Sequence, residues 1–141
     1  MSSSKFDKTY FNGEASHFSE IWSYDLQARL NFWRVLKYRK FIRFYSTDHK
    51  TLLDIGCAYG HFLNKLKKDY DVYGMDVSNY AIKIACDRVQ CNCKQGDLEE
   101  GIPFKRKFDI ITAISVLEHL SNPEKAIKNI RNSLNDDGLF C

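Results

Sequence analysis

No apolar run in this 141-residue sequence approaches the roughly 18 residues that a membrane-crossing helix needs. Nor does the opening Met1-Ser-Ser-Ser-Lys-Phe-Asp have the basic start and apolar stretch of a secretory signal, so a cytosolic protein without a membrane partner is expected. Charge of one sign is in short supply too: 21 Lys and Arg against 18 Asp and Glu leave a net +3, too little by itself to argue for nucleic acid. The five cysteines (Cys57, Cys86, Cys91, Cys93, Cys141) are odd in number and contain no CxxC pair, and a cytosolic setting keeps them reduced, so no disulfide is expected. Cys91 and Cys93 would share one face of a strand, but no second CxxC or histidine pair is near them in sequence. They are read as small buried side chains and no metal site is expected. What remains, 44% hydrophobic and 28% charged residues, is the composition of one globular domain or most of one, not of a disordered, collagenous or repetitive chain.

Two regions differ in character. Residues 14 to 46 have a helical rhythm, with Leu26, Leu30, Trp33, Phe41 and Phe44 on one stripe interrupted at Lys37, and a break is expected near Ser23-Tyr24-Asp25. Arg29, Arg39, Lys40 and Arg43 gather on a flank read as solvated. From Thr51 the pattern becomes short apolar runs alternating with amphipathic helices. The strands expected are Thr51 to Ile55, Asp71 to Asp76, Cys91 to Gln95 and Phe108 to Ile114. Helices are expected from Phe62 to Tyr70, with Phe62, Leu63 and Leu66 inward, and from about Asn79 to Val89. Asn122 and Pro123 then start a helix carrying Ile127, Ile130 and Leu134, Asn135-Asp-Asp-Gly138 stops it, and Leu139-Phe-Cys begins a fifth strand. Such alternation gives an α/β fold, a Rossmann-like doubly wound, mostly parallel sheet covered by helices on both faces. Its ligands belong at the carboxyl ends of the strands, beside the first.

The loop after the first strand reads Asp54-Ile-Gly56-Cys57-Ala58-Tyr-Gly60-His-Phe. Its two glycines and alanine let backbone approach a ligand ahead of a helix N-terminus. The dinucleotide pattern G-x-G-x-x-G is incomplete here, which disfavours a nicotinamide dehydrogenase, and Asp54 sits badly beside a pyrophosphate but well beside a cation. Asp76 ends the second strand about 20 residues after the glycine turn, the spacing at which a carboxylate accepts from both ribose hydroxyls. Asp97 and Leu98 follow the third strand, where an adenine ring would lie. Any one acid could be a helix cap or a solvated charge, but three stand at consecutive strand ends.

Taken in order, Leu52-Leu-Asp-Ile-Gly-Cys-Ala-Tyr-Gly-His-Phe-Leu, Val72-Tyr-Gly-Met-Asp-Val-Ser, Gly96-Asp-Leu, Phe108-Asp-Ile-Ile-Thr-Ala, Val116-Leu-Glu-His-Leu and Asn122-Pro resemble the class I S-adenosylmethionine-dependent methyltransferases. The resemblance covers roughly residues 50 to 141, with Ala58 in place of the family's third glycine. It implies that Gly56, Cys57, Ala58 and Gly60 wrap the methionine portion of S-adenosylmethionine, that Asp76 holds the ribose with Val77 beside it, and that Asp97 and Leu98 hold the adenine. Asp54 belongs to the same cofactor-binding set, and Ile114, within Ala113 to Val116, would lie beside the sulfonium. The implied reaction is in-line methyl transfer to a small-molecule acceptor, leaving S-adenosyl-L-homocysteine, without a covalent enzyme intermediate.

His119, with Glu118, is the candidate general base, although the family more often uses that histidine for packing or capping. Glu118-His119 also recurs in metal-dependent RNA 2′-O-methyltransferases, but the carboxylate these need three residues earlier is Ser115 here. The aromatic N-terminal region, residues 1 to 46 with Tyr10, Phe11, His17, Trp22 and Tyr24, resembles the family's variable lid. Tyr10 and Phe11 could close on the methionine end and Arg29 could pair with its carboxylate. The core would occupy residues 47 to 141. Members continue for two more strands in the order 3-2-1-4-5-7-6, so strands 3-2-1-4-5 are expected with the later ones missing. The competing expectation is a binding module for S-adenosylmethionine or its product without turnover; the acceptor and oligomeric state are not legible.

Overall fold

The computed structural model describes residues 32–45 and 50–141. Helix α1 (Phe32–Tyr45) precedes β1 (Thr51–Ile55), α2 (His61–Leu66), β2 (Asp71–Asp76), α3 (Asn79–Val89) and β3 (Asn92–Gln95). Then come β4 (Phe108–Thr112), a 3-10 turn (Leu117–His119), α4 (Pro123–Ser133) and β5 (Leu134–Phe140). The sheet order is β3-β2-β1-β4-β5 and every pairing is parallel, which is the order expected from the alternation.

Each face of the sheet has its own core, because apolar side chains on a strand alternate between faces. Leu52, Val72 and Ile110 point to one face, where α2 and α3 bring Leu63, Leu66, Ile82, Ala85 and Val89. Leu53, Ile55, Met75 and Ile111 point to the other, where α4 brings Ala126 and Ile130. The caps follow the sequence: Ser78 accepts from the Ala81 N–H at the start of α3, and Asn122, followed by Pro123, accepts from the Lys125 N–H at the start of α4.

Several expectations need correction. Among the described side chains of α1, the buried one is Ile42, in the same core as Leu52 and Leu63, with Tyr38 edge-on to Phe62; Phe41 and Phe44 are 48% and 75% exposed. Arg39 is no free charge, since its guanidinium clasps Asp69 at 2.8 Å. Leu26, Leu30 and the break near Ser23 lie outside the described residues. Helix α2 ends at Leu66 rather than running on to Tyr70, and β4 stops at Thr112. In α4 the inward pair is Ala126 and Ile130, while Ile127 is exposed. Leu134 has already turned extended and opens β5 opposite Phe108. Residues 135 to 138 bulge before Leu139 and Phe140 rejoin Ile110 and Ile111, so β5 is longer than the three residues expected.

Candidate functional site

The ladder between β1 and β2 continues into the turn after β1: the Gly56 and Cys57 N–H groups both donate to the Met75 carbonyl, at 2.7 and 3.0 Å. Beyond it, Gly56, Ala58 and Gly60 have φ of 71°, 46° and 72°. Left-handed backbone at alternate residues folds the turn tightly back on itself, with the Gly60 N–H donating to the Cys57 carbonyl at 2.8 Å, and at Ala58 it is strained. Asp76 holds that strain. Its Oδ2 accepts the Ala58 N–H at 2.9 Å and its Oδ1 accepts the Ser78 N–H at 2.8 Å, so one carboxylate ties the glycine turn to the start of α3. Burial pushes the Asp76 pKa up, against the pull of these N–H donors.

Beneath the turn lies Asp54, also buried. Its Oδ1 accepts from Thr112 Oγ1 at 2.6 Å, and its other oxygen has no hydrogen-bond partner among the described residues. Desolvation pushes its pKa up to about 7, opposed by the Thr112 bond and reinforced by the charge of Asp76. A buried carboxylate with a bare oxygen, close enough to Asp76 to feel its charge, is suited to a ligand that brings a cation.

The remaining expected residues divide. A Cβ on Gly56 would meet Val116 Cγ2 at 2.5 Å, so the loop after β4 arches over the glycine turn. The bare face of Gly60, by contrast, is filled by Val89 and Ala85 of α3, at 2.6 and 3.3 Å from where a Cβ would stand. Its lack of a side chain serves helix packing rather than ligand approach. Cys57 is buried in the core, its thiol against Gly74 of β2 and its N–H used by Met75. Asp97, half-buried, accepts the Glu99 N–H at 2.9 Å and thereby caps its own turn. The Leu98 side chain packs into the α4-side core, leaving main chain as what that residue can offer the crevice. Val77 and Ile114 are half-buried at the ends of β2 and β4, and the Val77 carbonyl accepts from Gln95 Nε2. His119 and Glu118 are exposed on the 3-10 turn. Tyr10 and Arg29 lie outside the described residues. Cys91 and Cys93 have their sulfurs 3.5 Å apart, and among the described residues no three His, Cys, Asp or Glu side chains gather as a metal set.

Sequence reasoning missed Thr112, whereas Val116 falls within the Ala113 to Val116 stretch expected beside the sulfonium. Thr112 carried a signal, being the one hydroxyl in an otherwise apolar stretch of β4 and the register partner of Asp54.

A family model described as a methyltransferase domain matches residues 22–141. The chain belongs to this methyltransferase family. It is 35% identical over 102 residues to a ubiquinone biosynthesis O-methyltransferase of Glaesserella parasuis serovar 5, an alignment covering 64% of this chain and 43% of that protein. It is 36% identical over 87 residues to a protein of Dictyostelium discoideum named as a probable 18S rRNA (guanine-N(7))-methyltransferase, covering 59% of this chain and 30% of that one. Among solved methyltransferases, an amino pentose methyltransferase from Micromonospora echinaspora with S-adenosylmethionine bound shares the fold with a TM-score of 0.73 at 20% identity, over 81% of this chain and 51% of that one. The chain thus spans about half the length, or less, of these methyltransferase relatives.

Proposed function

We propose that this chain is the cofactor-holding part of a methyltransferase that uses S-adenosylmethionine to methylate a small-molecule acceptor. The observation that carries the reading is Asp54: a buried carboxylate oxygen without a partner among the described residues, beneath a tight turn whose Gly56, Cys57 and Ala58 N–H groups are already taken by β2. A cationic adenosine derivative fits that donor and acceptor set better than a dinucleotide phosphate would. Bound there, S-adenosylmethionine would supply an electrophilic methyl group on a cationic sulfur.

Asp54 would face the positive charge. Asp76 spends one lone pair of each oxygen on Ala58 and Ser78 and retains acceptor capacity for ribose hydroxyls. Asp97 and the Leu98 main chain would hold the adenine edge, and Ala113 to Val116 would line the side from which the acceptor arrives. Rate would come mainly from alignment of the two reactants, and His119 is the candidate base for an oxygen or nitrogen acceptor. The ubiquinone-pathway and amino pentose relatives favour a small acceptor; the ribosomal RNA relative makes nucleic acid the competing class.

Calorimetric titration with S-adenosylhomocysteine tests the cofactor. Saturable heat supports the reading, whereas no heat and no competition at millimolar ligand overturns it. Asp76→Ala should weaken that binding by about 1.5 to 3 kcal/mol, as expected for hydrogen bonds lost from a charged acceptor. Unchanged affinity would move the ribose elsewhere. Transfer of radiolabelled methyl to small-molecule extracts, but not to RNA, is the expected specificity; binding without any transfer would favour a module without turnover.

A further inference from the structure

The segment after β3 is held from outside the sheet. Asn129, half-buried in α4, donates from its amide nitrogen to the Leu98 carbonyl at 2.8 Å and more weakly to the Glu99 carbonyl at 3.4 Å. Carbonyl oxygens only accept, so the NH2 end of this amide must be the one that faces them. Two further residues of the same helical stripe reach the same segment. The Asn122 N–H donates to the carboxylate of Glu99, a residue only 6% exposed, and Lys125 Nζ lies 3.5 Å from a Glu100 carboxylate oxygen. Positions 122, 125 and 129 fall on one face of a helix, beside the apolar pair Ala126 and Ile130. The segment itself is one turn, closed by the Asp97 carbonyl accepting the Glu100 and Gly101 N–H groups at 3.0 Å, and pinned by the buried Leu98 side chain. An asparagine inside a helix weakens it, and this one turns both of its contacts toward another element.

We propose that Asn129 is a positioning residue for nucleobase recognition: by gripping the Leu98 and Glu99 carbonyls it fixes the edge that Asp97 and the Leu98 main chain present to an adenine amine. The inference rests on the reading of the crevice as an adenosine site and adds the residue that sets its selectivity for the base. Asn129 touches no ligand itself. Its effect is on discrimination between adenine and a purine that lacks the exocyclic amine.

The test is titration of the full chain, wild type and variants, with S-adenosylhomocysteine and with S-inosylhomocysteine, in which a carbonyl replaces the amine. Thermal melting without ligand runs alongside. Wild type should prefer the adenosine compound. Asn129→Ala should weaken that compound by about tenfold, as for one or two neutral hydrogen bonds, and the inosine compound much less, so the preference collapses. Asn129→Gln, which keeps the donor on a longer arm, should recover part of it. Asn129→Leu, closer to the original volume, replaces alanine should the alanine protein fail to fold. Equal weakening of both compounds, or no change for the adenosine compound, overturns the positioning role while leaving the adenosine site standing. A wild-type chain that binds neither compound overturns both.

Discussion

Strands β1 and β4 carry the same pair of residues, an aspartate and a threonine, at each end, and the two ends use it in opposite ways. At the amino end, Asp109 of β4 faces Thr51 of β1; at the carboxyl end, Asp54 of β1 faces Thr112 of β4. Asp109 is saturated. Its Oδ2 accepts from the Lys50 and Thr51 N–H groups and the Thr51 hydroxyl, and its Oδ1 from Asn135. Partial burial raises its pKa, but these donors outweigh that and hold it down at about 2. Asp54 has the Thr112 hydroxyl alone, and burial pushes it up to about 7. Donors are concentrated at the amino end and withheld at the carboxyl end, the one read as the ligand site, so one acid knots the sheet while the other stays available to a cation.

The largest expected effect is in pH. Between 3.8 and 7 the folded chain holds a proton on Asp54 that the unfolded chain has released, so stability falls as pH rises through that window and levels off above it. A shift of this size is worth roughly 4 kcal/mol across the window, with burial of Asp76 acting in the same direction. Asp109 has the opposite sign: its contribution is complete above 3.8 and is lost as pH falls toward 2. Urea midpoints measured from pH 2 to pH 8 should therefore peak near pH 4 as far as these groups decide it. Asp54→Asn should shrink the fall on the alkaline side, and a variant that keeps the full slope would show that Asp54 is ionised throughout.

Next in size, Asp109→Ala should cost about 3 kcal/mol at pH 7. It leaves the Lys50, Thr51 and Asn135 donors unpaired where β1 starts and β5 bulges. Equilibrium urea unfolding at pH 7 reads this directly. A loss below about 1 kcal/mol would mean that water replaces the carboxylate without penalty, and the contrast between the two ends would fail.

How much of this was legible in the sequence follows from the range over which each feature is decided. The alternation of strand and helix, the caps at Ser78 and Asn122, and the spacing from Gly56 to Asp76 are local, and the fold follows from them. The inward face of α1 is not local: Phe41 and Phe44 are larger than Ile42 and more apolar than Tyr38, but the surface offered by Leu52, Leu63 and Phe62 decides which side is buried. Gly60 read as a ligand contact because its motif is shared with loops that bind, whereas Val89, far along the chain, occupies the space beside it. The Asp54 and Thr112 pair needed the register of two strands separated by α2, β2, α3 and β3, which no local pattern contains.

The matched substitutions Thr51→Val and Thr112→Val sharpen the comparison at the smallest scale. Each removes one hydroxyl and keeps the shape. At the amino end three donors remain on Asp109 but its N–H loses the Thr51 hydroxyl as acceptor, so Thr51→Val should cost about 1 to 2 kcal/mol at any pH above 4, the worth of two hydrogen bonds. At the carboxyl end Thr112 is the single donor to Asp54, and its bond stabilises the ionised form. Below pH 6 the carboxyl is protonated with or without the hydroxyl, so Thr112→Val should cost little there. Above pH 7 the wild-type group ionises while the variant's does not, and the difference should grow to about 1 to 2 kcal/mol. A pH-independent cost for Thr112→Val, matching that of Thr51→Val, would mean that Asp54 finds other donors on ionising, and the two ends of the strand pair would then be alike.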